Sequence, residues 1–124
     1  MADTPPDTES AKAEIAREIV KVHEDSYGTS AENVDVALHE GFVAVVFDIF
    51  LSRAERTLVD AGDEDSVQTT REAFQVAIAP TFAAIVERAL GRRVIGFASR
   101  TVIEDGASWS IEAFRLDGGA TAAS

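Results

Sequence analysis

Two kinds of apolar spacing follow one another along the chain. Between Ser10 and Ser26, Ala11, Ile15, Ile19 and Val22 recur at helical spacing and predict a helix with one apolar face. Tyr27-Gly28 ends it, with Gly28 suited to a left-handed cap. From Asn33 to His39 the spacing changes to two. Val34, Val36 and Leu38 alternate with Asn33, Asp35, Ala37 and His39, as in a strand with one wet face. Glu40-Gly41 reads as a tight turn, so the next strand follows as a hairpin. That second strand, Phe42 to Leu51, is apolar on both sides. Val43, Val45, Phe47, Ile49 and Leu51 share one face, and Phe42, Ala44, Val46 and Phe50 share the other, where Asp48 is the sole charge.

Ser52 and Glu55 then have the spacing of a capping box, in which each side chain bonds the other residue's backbone N–H. They mark where strand gives way to helix. This helix runs to about Ala61-Gly62. The acidic cluster Asp63-Glu64-Asp65 complements the dipole of a longer helix reaching about Leu90. Val67, Phe74, Ile78, Ile85 and Val86 mark its expected inner stripe, and Pro80 is expected to kink or split it. Gly91 caps its end. A third strand, Arg93 to Ile103, and a fourth, Ser108 to Leu116, are joined by the turn sequence Glu104-Asp105-Gly106.

The order α-β-β-α-α-β-β predicts an α+β fold, with a four-stranded, mainly antiparallel sheet and helices packed on one face. Residues 10–117 form a single domain, residues 1–9 a polar disordered leader, and residues 118–124 a flexible tail. Helices on one face leave the second face of strand two bare. Phe42, Val46 and Phe50 would then form a patch that monomers seldom tolerate. A homodimer closing over that face is the preferred solution. Cover by the first helix or a terminal segment is the alternative.

Composition narrows the function classes. The 124 residues suffice for one core without staples. With no cysteine, disulfides, thiolate nucleophiles and Cys-based zinc sites are excluded, which fits a reducing compartment. The N-terminal residues lack the basic start and apolar run of a signal peptide. The longest apolar run, Phe42 to Phe47, is far short of the ~20 residues of a membrane span. The net charge of −11 is concentrated in residues 1–66, with 16 acids and 5 bases, while residues 67–124 are neutral. Such a surplus repels phosphate backbones and disfavours nucleic-acid binding.

Several signals stand in a recognisable order. A helix ending at Tyr27-Gly28 precedes a hairpin, then Leu51-Ser52-x-x-Glu55-x-x-Leu58. Arg71 lies inside a long helix, and Gly91-Arg92-x-Val94 and a last strand with Phe114-x-Leu116 follow. From about Ala13 to Leu116 this resembles the small bacterial MpsC-like family, named for a membrane-potential-generating system. Two departures stand out. The family's Gly-Pro after Tyr-Gly is Thr29-Ser30 here, and its Thr at the second helix cap is Ser52. The resemblance implies a cytosolic accessory protein associated with sodium or inorganic-carbon transport machinery, and it supplies no reaction.

The residues themselves offer no catalytic set, cofactor motif or metal motif. His23 and His39 lack metal-type spacing and read as surface residues. Ser52 lacks a nucleophile frame, and Gly91-Arg92-Arg93 is a helix stop rather than a phosphate loop. Asp48, on an otherwise apolar face, reads as a buried acid needing a partner, with Arg71 or Arg100 as candidates. That arrangement is either a structural ion pair or an anion site built by the arginines. Trp109 is part core or part interface, alongside Phe42, Val46 and Phe50. The expected protein is therefore a non-catalytic, cytoplasmic, homodimeric accessory protein, with a membrane transport protein as partner and no insertion of its own. The alternative is a small-anion-binding module or enzyme using arginines between helices and sheet.

Overall fold

A computed structural model describes residues 8–104 and 107–118. The seven elements follow the expected order. They are α1 (Thr8–Tyr27), β1 (Ala31–Leu38), β2 (Phe42–Ile49), α2 (Arg53–Asp60), α3 (Glu64–Leu90), β3 (Val94–Val102) and β4 (Trp109–Leu116). α1 therefore begins inside the expected leader. The rest of that leader, residues 119–124 of the tail, and Asp105-Gly106 of the last turn lie outside the described residues.

The four strands form one sheet in the order β1-β2-β4-β3, with every neighbouring pair antiparallel. The β2-to-β3 connection through α2 and α3 reaches the far edge, and β4 returns to fill the gap. α1 packs on α3 and on β1, and α3 packs on β3, so the helices share one face of the sheet. The core lies between these layers. Val43, Val45, Phe47, Ile49, Phe114 and Leu116 rise from the sheet toward Ile15 and Ile19 of α1 and Phe82, Ile85 and Val86 of α3.

Local chemistry sets the boundaries. Gly28 and Gly91 take left-handed φ values of 75° and 67°, and their N–H groups close the last turns of α1 and α3 on the carbonyls of Glu24 and Glu87. Ser52 Oγ accepts from Glu55 N at 3.1 Å while Glu55 Oε1 accepts from Ser52 N at 2.8 Å, so the capping box is complete. β2 stops at Ile49, two residues before the expected end, and its last ladder bond runs from Ile49 N to Ser108 O.

α3 is not split at Pro80, which is exposed, but runs as one helix. The carbonyl left without its N–H partner belongs to Val76, whose side chain is largely exposed. Its inner stripe is Val67, Arg71, Gln75, Phe82, Ile85, Val86 and Ala89, with Ile78 partly buried, whereas Phe74 is largely exposed. Two polar side chains thus occupy core positions. Among the described residues, α3 is the helix long and apolar enough to cross a membrane, by length and composition alone. Its buried stripe packs on α1 and β3, while Phe74 and Val76 are exposed.

Candidate functional site

The sheet face opposite the helices carries no cover among the described residues. Strict alternation places Val43, Val45, Phe47 and Ile49 inward and Phe42, Ala44, Val46 and Asp48 outward on β2. Cross-strand pairing extends this outer face in rows. One row reads Ala37, Ala44, Ala113, Ala98 from β1 to β3. The next reads Asp35, Val46, Ile111, Arg100, and the one beyond it Glu32, Asp48, Trp109, Val102. Phe42 and Phe50 are 41% and 45% exposed at the two ends of β2, and Val46 and Trp109 are half-buried between strand neighbours. All four residues expected at an interface therefore belong to this side or its rim. Sequence reasoning found the β2 residues of the patch and Trp109, and missed Ile111 and the alanines of the other strands. Those depend on which strand lies beside which.

The inner layer holds a polar cluster. Arg71 is 1% exposed and donates to Glu55 twice, from Nε to Oε2 at 2.7 Å and from Nη2 to Oε1 at 2.9 Å. Its guanidinium also lies 4.4 Å from the centre of the Tyr27 ring. Burial alone would raise the Glu55 carboxyl. The Arg71 bonds and the Ser52 N–H outweigh it and hold the group below its ordinary value. Tyr27 itself is pushed up to about 12, chiefly by burial. His23 is 2% exposed, with its ring tilted against Tyr27 and edge-to-face with Phe47, and so is not the surface residue its spacing implied. Burial first, and the nearby Arg71 charge second, lower its pKa to about 4.

Farther along the sheet, Gln75 donates to Thr101 Oγ1 at 3.0 Å, and Ser110 Oγ donates to Glu112 Oε2 at 2.7 Å. Glu112 is 3% exposed and its second oxygen has no hydrogen-bond partner. Ser99 Oγ faces it across the ladder without meeting bonding geometry. Burial pushes the Glu112 carboxyl up to about 7, against the lowering pull of the Ser99 and Ser110 hydroxyls.

Asp48 is exposed, which corrects the expectation of a buried acid. A bulge between Glu32 and Asp35 puts Asn33 at φ 53°, and Asn33 Nδ2 donates to Asp48 Oδ2 at 2.6 Å. Neither arginine is its partner. Arg71 sits under the helices while Arg100 pairs in register with Ile111 on the outer face, so the three residues do not converge. Asp48 instead lines a cleft of about 490 Å³ at the β2–α2 junction with Glu32, Asp60, Glu64 and Glu104. Among the described residues, Arg56 is the one base lining it. Arg92, at the helix stop, donates to the carbonyls of Glu40 and Asp117 and ties the β1–β2 turn to the end of β4.

A family model described as the Na+-translocating membrane potential-generating system (MpsC) matches residues 7–116. The chain belongs to the MpsC family. The match spans every element of the fold, so the sheet face and the Arg71–Glu55 pair both lie inside the MpsC-family region. No curated protein and no solved structure matches the chain.

Proposed function

We propose that this MpsC-family chain is a non-catalytic, cytoplasmic accessory or regulatory protein of a membrane sodium or inorganic-carbon transport system, acting as a homodimer. The family match over residues 7–116 carries the link to a membrane-potential system. The geometry supports the accessory role through what its polar groups are engaged in. Arg71 is neutralised by Glu55 and covered by Tyr27, Ser52 caps α2, and Gln75 braces β3. These are contacts that hold α1, α2, α3 and the sheet together. The surface left for recognition is the outer sheet face and the exposed positions of the uncharged part of α3, Ala73, Phe74, Val76 and Ala77.

The test is deletion of the chain in cells that depend on sodium-linked energisation. The expected result is loss of sodium-dependent membrane potential, restored by re-expression, together with recovery of the tagged chain in complex with a membrane component. An unchanged potential and no membrane-associated partner would overturn the proposal.

A further inference from the structure

We infer that the outer sheet face binds the same face of a second copy about a two-fold axis parallel to the strands, with Asp35 against the partner's Arg100 and Val46 against the partner's Ile111. This deepens the homodimer reading above and rests on it.

The argument begins with the row Asp35, Val46, Ile111, Arg100, which crosses the sheet at one level. Its outer residues are opposite charges and its inner ones are β-branched. Asp35 and Arg100 are both exposed, and neither has an ion pair among the described residues. A face-to-face homodimer is isologous, so its two-fold lies between the sheets and parallel to them. An axis along the strands exchanges left and right but preserves level. β1 then lies over the partner's β3 and β2 over the partner's β4. Every row meets itself reversed. The acid of the row meets the arginine twice, and Val46 meets Ile111 at the centre. The alanine row meets itself as well, which lets the backbones approach closely.

An axis across the strands fails on charge. It would set β1 over the partner's β1 with the levels reversed, so an axis at the Asp35 row brings Asp35 against its own copy, and an axis between the two rows brings Asp35 against the partner's Glu32. In a chain of net charge −11 that juxtaposition is repulsive. The size of the face is adequate. Four strands of about eight residues, at ~4.8 Å spacing and ~3.3 Å rise, project to roughly 500 Å² per copy. Two such faces reach the ~1,000 Å² that a specific interface requires, before Phe42 and Phe50 are added. Aligned sheets cross at about −30°, which displaces the edges by a few ångströms. The long Arg100 side chain spans that displacement.

The experiment is light scattering and sedimentation of the full chain as wild type, Asp35→Arg, Arg100→Asp and the double swap, with circular dichroism confirming each fold. The expected result is a wild-type dimer, association weakened about tenfold or more in each single variant by like charges, and recovery in the double swap. A monomeric wild type would overturn the dimer itself. A wild-type dimer that tolerates both single changes, or a double swap no better than either single, would overturn this axis while leaving a dimer of other geometry.

Discussion

Arg71 and Glu55 meet through two parallel hydrogen bonds, and the same Glu55 oxygen that accepts from Arg71 Nη2 also closes the capping box on Ser52. One carboxylate thus fixes the start of α2 and neutralises a charge inside α3. The partners are unequal, since the Arg71 side chain is 2% exposed and that of Glu55 18%. Removing the acid strands a buried cation, whereas removing the cation leaves a carboxylate that still reaches water and the cap. Glu55→Gln, which preserves the cap, is therefore expected to cost about 3 kcal/mol. Arg71→Met should cost less, about 1–2 kcal/mol, because the stem volume is retained. Urea unfolding midpoints check the order, and the reverse order would refute this division of roles.

How much of this was legible follows from range. The two hairpins, the Ser52–Glu55 box and the Gly28 and Gly91 caps are local chemistry, and alternation within β2 gave the apolar outer face. The inner cluster was hidden because Arg71, Gln75, His23 and Glu112 hold core positions while looking like surface residues. The spacing Val67, Arg71, Gln75, Phe82 was a readable signal, but apolar Phe74 drew the stripe away from it. Asp48 was misread because burial was inferred from the apolar residues beside it, whereas within one protomer that face is open and a bulge in β1 brings Asn33 to the carboxylate. Arg71's partner lies 16 positions away, and no pattern on α3 alone points to Glu55.

Pro80 gives a test that isolates one backbone bond. It is exposed within the unbroken α3, and its ring removes the bond to the carbonyl of Val76. Pro80→Ala restores that bond and fills no new space. The variant is expected to be more stable by about 2 kcal/mol, after allowance for the freer unfolded chain. Thermal unfolding reads this as a raised Tm. A lowered Tm would mean that the local geometry at Pro80 supports the packing of α3.

Two buried groups oppose each other in their response to pH. His23 has a native pKa of about 4 against an ordinary 6.5, so its contribution is present above 6.5 and is lost as pH falls toward 4. Glu112 has a native pKa of about 7 against an ordinary 4.5, so its contribution is present below 4.5 and is lost as pH rises through 7. Between pH 4.5 and 6.5 folding takes up one proton and releases another, and the two slopes nearly cancel. Glu112→Gln should uncover a stability that rises with pH in that window, and His23→Phe one that falls. Each slope is at most about 1.4 kcal/mol per pH unit. Urea midpoints across the window decide, and equal profiles for the two variants would refute the assignment.

Neighbouring positions on β2 separate folding from association. Val45 is fully buried against the helices, and Val46, the next residue, points to the open face. An aspartate at position 45 would place an unpaired charge in the core, so Val45→Asp is expected to unfold the chain. The same change at Val46 meets water in the isolated protomer and loses only the shielding of its strand neighbours. Val46→Asp is therefore expected to remain folded, with a stability loss within about 1 kcal/mol, and to be monomeric where the wild type is dimeric. Circular dichroism and light scattering on the pair read the two effects independently. An unfolded Val46→Asp would mean that this face is covered from within the chain, and a folded Val46→Asp that still dimerises would move the interface elsewhere.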